Sequence, residues 1–278
     1  MNADDLSLSL PHTFEFEGRQ VRYGVMGEGP ALVLVHGTPF SSQVWRRIAP
    51  HLASHYRLYY FDLLGYGQSE MAEGEDVSLG VQNHLLAALI EHWGLRKPHV
   101  VAHDFGGATA LRCLLLNQLE YATLTLIDPV AIAPWGSPFV QHVRQHQQAF
   151  SGLPSYIHEA ILAAYIQGAV CHAMPERDLQ HYTKPWTGEC GQAAFYQQIA
   201  QMDQRFTDEV ESAYPSIGCP VLLIWGEQDQ WIPIERGEVL ARQIGNCQMV
   251  RVPGAGHLVQ EDAPEAIIAE LLKFLPRE

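Results

Sequence analysis

The sequence predicts an α/β fold in which a mostly parallel sheet is flanked by helices and interrupted by one helical insertion. Short apolar runs such as Ala31–Val35 and Val221–Trp225 are typical of strands buried on both faces of a parallel sheet. Segments with helical periodicity separate these runs, and this alternation favours parallel strands covered by helices. From 134 to 214 no strand-like run appears, and Gln, His, Tyr and Gly become frequent. We therefore predict a core domain at 1–133 and 215–278 and a helical cap at 134–214.

The separate elements follow in chain order. An N-terminal hairpin is predicted where apolar and polar residues alternate from Phe14 to Val25 across Glu17-Gly18. Further strands are predicted from apolar runs at Leu58–Phe61, Val100–Val101, Leu124–Ile127 and Gln248–Val252. Helices are predicted from their periodicity at Val81–Trp93, Ala108–Gln118, Tyr156–Tyr165 and Ala263–Phe274. In such an open sheet, functional residues gather beyond the carboxyl ends of the strands.

The composition favours a globular protein of the cytoplasm. A chain of 278 residues, 47% of them hydrophobic, can bury a large core without disulfides or metals. The net charge of −14 argues against nucleic acid or an anionic membrane as a partner. The five cysteines show no CxxC spacing and the fourteen histidines form no HExxH motif, so we expect neither a disulfide framework nor a metal site. The acidic N-terminus has no signal core behind it, and no apolar run reaches the ~20 residues of a membrane span.

The stretch Ala102–Gly107 is the most informative motif of the chain. It follows a strand-like run and opens a segment of helical character, so a sharp turn is expected between strand and helix. The pattern small-x-nucleophile-x-Gly is typical of a nucleophile presented on such a turn. Asp104 occupies the position where a serine is usual. A carboxylate there favours attack on a saturated carbon, which would form an alkyl ester on the enzyme.

Two later strand ends supply catalytic partners for Asp104. Asp229 follows the run that ends at Trp225, and His257 follows the run that ends at Val252. We expect His257 to activate the water that cleaves the ester, since imidazole titrates near neutral pH. We expect Asp229 to hold the tautomer of that imidazole and to stabilise its protonated form. Asp128 also ends a strand-like run and is a possible auxiliary or substitute acid.

Backbone N–H groups of Thr38 and Phe105 are predicted to form an oxyanion hole. Thr38 follows the strand that ends at Val35, whereas the next residue, Pro39, has no N–H to donate. One such donor contributes about 3 kcal/mol to stabilisation of the transition state. His36 and His103 are interpreted as structural residues, with His103 pointing away from the site.

These motifs resemble the aspartate-nucleophile branch of the α/β-hydrolase superfamily, which contains haloalkane dehalogenases, fluoroacetate dehalogenases and epoxide hydrolases. The stretch His36–Arg46 is similar to the haloalkane dehalogenase pattern HGNPTSSxxWR and fits the HGxP signature of epoxide hydrolases. The resemblance covers nearly the whole chain outside the predicted cap. It implies the α/β-hydrolase fold, no cofactor or metal, and a small apolar substrate as the partner of the protein.

The residue after the nucleophile separates the subfamilies. Haloalkane dehalogenases bind the leaving halide with a Trp at that position and with a second donor, an Asn after the HG pair or a Trp in the cap. Here Phe105 and Thr38 occupy the first two of these positions, so Trp135 or Trp186 of the predicted cap would have to donate. Fluoroacetate dehalogenases bind the substrate carboxylate with an Arg after the nucleophile, and Phe105 cannot do so.

Epoxide hydrolases instead polarise the leaving alkoxide with two cap tyrosines. The predicted cap contains Tyr156, Tyr165, Tyr182 and Tyr196, with Tyr214 at its edge. By their position relative to Asp104 and Asp229, Tyr156 and Tyr196 are most similar to the two donors. We therefore favour an epoxide hydrolase, with a dehalogenase that has an atypical halide site as the alternative. A hydrolase-fold binding protein without turnover is the third hypothesis, and either a monomer or a homodimer is compatible with the sequence.

Overall fold

Eight strands form one sheet in the computed structural model, which describes residues 6–276. The strands are β1 (His12–Phe16), β2 (Arg19–Met26), β3 (Ala31–Val35), β4 (Arg57–Phe61), β5 (His99–His103), β6 (Thr123–Ile127), β7 (Val221–Gly226) and β8 (Cys247–Val252). Their order in the sheet is β1-β2-β4-β3-β5-β6-β7-β8. β2 runs antiparallel to both β1 and β4, and the remaining neighbours are parallel. The predicted mostly parallel sheet is confirmed, and so is the N-terminal hairpin.

The centre of the sheet determines where the site lies. β5 pairs with β3 on one side and with β6 on the other, and every residue of β5 and β6 is buried. Burial on both faces of these strands explains why their sequences are largely apolar. The turns that follow β3, β5 and β6 therefore meet at one edge of the sheet, because parallel strands end on the same side.

Helices pack on the sheet and connect its parallel strands. Those outside the long insertion are α1 (Ala49–Leu52), α2 (Leu79–His92), α3 (Phe105–Leu116), α10 (Ile234–Gln243), α11 (Val259–Asp262) and α12 (Pro264–Phe274). Helix α3 is buried continuously from Phe105 to Cys113, since it packs against α2 and against the strands β3 and β5. This burial fixes the N-terminus of α3 and therefore the position of Asp104, the residue that precedes the helix.

The chain between β6 and β7 folds into helices. They are α4 (Pro138–Gln145), α5 (Gln147–Ser151), α6 (Ser155–Gln167), α7 (Glu176–Thr183), α8 (Gly188–Ala200) and α9 (Arg205–Glu211). No strand occurs in this stretch, all of which is among the described residues. We call it the helical segment. The domain boundaries predicted at 134 and 214 enclose these six helices and stay a prediction.

A buried ionic cluster attaches the helical segment to the sheet domain. Glu261 of α11 binds the guanidinium of Arg46 and the hydroxyl of Tyr182, a residue of α7. Asp178, also in α7, lies 3.5 Å from Arg46. The side chains of Arg46, Tyr182 and Glu261 are almost fully buried. Removing Arg46 or Glu261 would therefore leave an uncompensated charge in the interior.

Three further properties of residues 6–276 bear on the sequence analysis. None of their helices combines the length and the apolar character that crossing a lipid bilayer requires. The five cysteines are free thiols. Among these residues, no group of three or more His, Cys, Asp or Glu side chains is placed to hold a metal ion.

Candidate active site

Asp104 lies on a strained turn between β5 and α3. Its backbone has φ 50° and ψ −119°, a conformation that a residue with a side chain seldom adopts. Its N–H donates to the carbonyl of Ile127 at 3.1 Å, and its carbonyl accepts from Gly107 at 2.9 Å. A Cβ on the intervening Gly106 would collide with backbone oxygens at the end of β3, so glycine lets α3 approach the sheet. The turn thus projects the Asp104 carboxylate beyond the strand ends.

The Asp104 carboxylate is held between two groups. Its Oδ1 accepts a hydrogen bond of 2.7 Å from the backbone N–H of Thr38, and its Oδ2 lies 3.5 Å from Nε2 of His257. Gly37 is required beside it, because any side chain there would meet the carboxylate. No hydrogen bond joins the Phe105 N–H to this carboxylate within the described chain, so the oxyanion role of that N–H stays a prediction. The ring of Phe105 lines the adjoining cavity.

His257 is buried and is paired with Asp229. Its Nδ1 donates to Asp229 Oδ2 at 2.8 Å, while Asp229 Oδ1 accepts from the N–H groups of Trp231 and Ile232 at 2.7 and 2.9 Å. Burial lowers the pKa of His257, but the carboxylates of Asp229 and Asp104 outweigh it, and the pKa lies well above its ordinary value. The two carboxylates therefore favour the protonated form of His257.

Asp128 lies beside Asp229 instead of contacting the imidazole. Its Oδ1 accepts from the Gly226 N–H at 3.0 Å, and no hydrogen bond joins it to His257 among the described residues. Burial, reinforced by the charge of Asp229, raises the pKa of Asp128 well above its ordinary value. This environment favours the neutral form of Asp128, which lies behind the pair. The expectation that it acts as a substitute acid on the imidazole is wrong for this geometry, since Asp229 already occupies Nδ1.

The two histidines that were interpreted as structural are both fully buried. His36 accepts the Leu63 N–H at 2.8 Å through Nε2, so it holds the turn after β4. His103 does not point away from the site: its Nε2 donates to the backbone carbonyl of His257 at 3.0 Å. Burial, aided by the nearby His257, lowers the pKa of His103 to about 3. His103 therefore stays neutral and supports the backbone of His257.

A cavity of about 360 Å³, including its mouth, opens at Asp104. It is lined by Thr38, Asp104, Phe105, Val130, Trp135, Gly136, Ser137, Val140, Tyr165, Met202, Trp231 and Ile232. Asp104 is the charged member of this lining, which contains neither Lys nor Arg. The enclosed part of this space is only about 30 Å³, so the cavity is narrow. The cavity thus suits a small uncharged molecule.

The tyrosine in this cavity is not one of the two predicted from the sequence. Tyr156 is 70% exposed on the outer surface, and Tyr196 bonds through its hydroxyl to His158 Nδ1 at 3.0 Å, away from the lining. Tyr165 lines the cavity instead. Residues 156 and 165 are separated by about two and a half helical turns, so they lie on opposite faces of α6. Tyr156 and Tyr196 do not line the cavity, so the prediction that they are the leaving-group donors is wrong.

Neither predicted tryptophan offers its indole N–H to a leaving group. Trp135 lines the cavity, but its Nε1 donates to Thr207 Oγ1 at 2.8 Å. Trp186 donates to the carbonyl of Pro39 at 2.7 Å. A halide cradle built on these two N–H groups is thus excluded by bonds they already make.

Trp231 is a residue of the site that no sequence motif predicted. Its ring stacks on Tyr165 at 4.4 Å between centroids, and on His257 at 4.9 Å. A tryptophan two residues after Asp229 was a usable signal, because the chain there must run beside the imidazole. Trp231 therefore fixes the plane of His257 and forms one wall of the cavity.

The sequence analysis also missed a polar cluster behind Thr38. Gln198 Oε1, in α8, accepts from the Thr38 hydroxyl at 2.7 Å and from the Tyr66 hydroxyl at 3.1 Å. No motif marks Gln198, which reaches the site only through the packing of the helical segment. The cluster connects that segment to the residue whose N–H holds Asp104.

Comparisons with known proteins agree with this architecture. A family model described as alpha/beta hydrolase fold matches residues 30–264. A fluoroacetate dehalogenase of a Burkholderia species is 28% identical in an alignment of 290 positions, which covers 94% of each chain. An alpha/beta hydrolase fold protein of Burkholderia ambifaria is 56% identical, with a TM-score of 0.94, over 96% of this chain and 98% of that one. A haloalkane dehalogenase of Agrobacterium tumefaciens C58 is 23% identical over 94% of each chain, with a TM-score of 0.80, which shows a shared fold.

Proposed function

This chain belongs to the alpha/beta hydrolase fold family, and we propose that it is a hydrolase with Asp104 as its nucleophile. The observation that carries the proposal is the Asp104 carboxylate, placed between the Thr38 N–H and His257 Nε2. An aspartate at this position attacks a saturated carbon, and the product of the attack is an ester. The favoured substrate class is a small uncharged epoxide.

Ring opening is the first step of the proposed reaction. Asp104 Oδ2 bonds to an epoxide carbon, that carbon–oxygen bond breaks, and the electron pair moves to the ring oxygen. Tyr165 lies in the cavity with its pKa raised by burial and by the charge of Asp104, so it is protonated and can donate. The ring oxygen takes the proton of Tyr165, and the proton on His257 then restores the phenol through solvent.

Ester hydrolysis is the second step. Formation of the ester removes the negative charge of Asp104, which lowers the pKa of His257 and makes the neutral imidazole available as a base. His257 Nε2 takes a proton from a water that attacks the ester carbonyl. The oxyanion forms at Oδ1, where the Thr38 N–H is positioned to stabilise it. Collapse regenerates the Asp104 carboxylate, releases a diol and leaves His257 protonated, so the cycle consumes one epoxide and one water.

The dehalogenase relative favours a second candidate, a hydrolase of carbon–halogen bonds. The same attack by Asp104 would expel a halide in place of an alkoxide. The cavity lining has no cation for a substrate carboxylate, so an uncharged haloalkane fits better than a haloacetate. The bonds made by Trp135 and Trp186 leave a halide without these indole donors, and this places the epoxide first.

Trapping the ester tests both candidates. A His257→Gln variant should form the ester and hydrolyse it slowly. We expect an epoxide to add its whole mass to the peptide carrying Asp104, and a haloalkane to add its alkyl group only. The double variant with Asp104→Asn is the control and should gain no mass. No adduct from any member of a panel of small epoxides and haloalkanes would refute the alkyl-enzyme mechanism.

A further inference from the structure

We propose that Gln198 donates an amide hydrogen bond to the leaving group of this reaction, an inference that rests on the proposed function. Gln198 is 3% exposed, and its Oε1 accepts from Thr38 and Tyr66. Its Nε2 has no hydrogen-bond partner among the described residues. A buried N–H₂ group without a partner is rare in folded proteins, which makes it a candidate for contact with a ligand.

The position of the carboxamide points to the reacting atoms. Thr38 lies in the cavity lining, its N–H bonds Asp104, and its hydroxyl bonds Gln198. Met202, just after the end of α8, also lines the cavity. Thr38 is thus the one residue between the Gln198 carboxamide and the nucleophile, on the side formed by the helical segment.

Two tyrosines lie near this carboxamide and the nucleophile. Burial, followed by the charge of Asp104, raises the pKa values of Tyr66 and Tyr165, so both phenols are neutral. Tyr66 bonds Gln198, whereas Tyr165 lines the cavity from α6. Tyr165 would supply the proton to the leaving oxygen, and Gln198 would supply a second donor that keeps its proton.

The two indole N–H groups that the sequence suggests as donors are already engaged. The indoles of Trp135 and Trp186 donate to Thr207 and Pro39. Gln198 thus provides what those indoles do not, a preorganised donor at a place where negative charge develops. The ligand it would take is an alkoxide or halide leaving group, the anion that departs from the attacked carbon.

The rate of ester formation on Asp104 tests the inference, measured in the His257→Gln background by quenched mass analysis. Gln198→Glu keeps an acceptor for Thr38 and Tyr66 but removes the N–H₂ donor. We expect it to slow ester formation about 10²-fold. The slowing should increase across a series of epoxides whose opened alkoxides are more basic, a trend that a purely structural role would not produce.

Gln197→Leu is the matched control. Gln197 lies beside Gln198 in α8, but its side chain bonds the backbone of Ala72, Gly74 and Glu75 and has no bond to Thr38 or Tyr66. It should leave ester formation unchanged. Gln198→Leu, checked for folding by thermal unfolding, should slow ester formation as Gln198→Glu does.

These experiments distinguish failure of the Gln198 inference from failure of the proposed function. Unchanged rates and an unchanged dependence on alkoxide basicity in Gln198→Glu would overturn the role of Gln198 while the proposed function stands. Absence of any ester in the parent His257→Gln variant would instead overturn the proposed function.

Discussion

The strand ends of the sheet and the helical segment contribute to one cavity, but their side chains are positioned in different ways. Asp104, Asp229 and His257 follow β5, β7 and β8, and strand pairing fixes where those turns meet. Tyr165 and Gln198 lie on α6 and α8, where the rotation of each helix decides which side chain faces the cavity. In the proposed reaction the first region supplies the nucleophile and the base, and the second supplies the leaving-group donors; both contribute to the lining of the cavity.

Asp104→Asn should have the largest effect, because it removes the nucleophile from the region set by strand pairing. The amide keeps an oxygen to accept from Thr38, so the fold should be retained. We expect turnover of epoxides and haloalkanes to fall at least ~10⁴-fold. Steady-state product assays check this, with thermal unfolding as the control for folding. Retention of activity would mean that the strand-end residues do not carry the chemistry.

Prediction from sequence succeeds in the strand-end region for a physical reason. A parallel sheet gathers its carboxyl ends at one edge, so the order of strands along the chain was enough to place Asp104, Asp229 and His257 together. Asp128 shows the limit of this argument, because it also ends a strand. The register alone does not tell which carboxyl reaches Nδ1; the turn after β7 does, by aiming Asp229 at the imidazole.

Prediction fails in the helical segment because helix rotation and packing are not encoded in a short motif. Tyr156 and Tyr165 share α6, yet one is on the surface and the other is in the cavity. The indole N–H groups of Trp135 and Trp186 are engaged by residues distant in sequence, Thr207 and Pro39. Gln198 had no distinguishing pattern at all. These positions became clear only once the helices were seen packed on the sheet.

Tyr165→Phe should have an intermediate effect and sharpens the role of the helical segment. Loss of the phenol removes the proton donor to the ring oxygen, so epoxide opening should slow about 10²-fold. Loss of halide from a haloalkane needs no such proton and should change little. Tyr156→Phe is the matched control on the same helix and should leave both rates unchanged. Equal slowing by both substitutions would remove the distinction between the two faces of α6.

We expect the smallest effect from the electrostatic interaction between Asp104 and His257, as a shift in the pKa of His257. The carboxylates of Asp229 and Asp104 hold the pKa of His257 above its ordinary value despite burial. Asp104→Asn removes one of these charges, so we expect the pKa of His257 to fall, as measured by NMR titration of the imidazole.

The same shift has a consequence for stability. The folded-state pKa of His257 is raised, so its protonation stabilises the fold fully below the unfolded pKa, ~6.5, and this stabilisation is lost as the pH rises through the folded value. Asp104→Asn should make that loss smaller and complete it at lower pH, as urea unfolding at a series of pH values would measure. An identical pH dependence in both proteins would contradict the coupling. It would also remove the reason why ester formation on Asp104 frees His257 to act as a base.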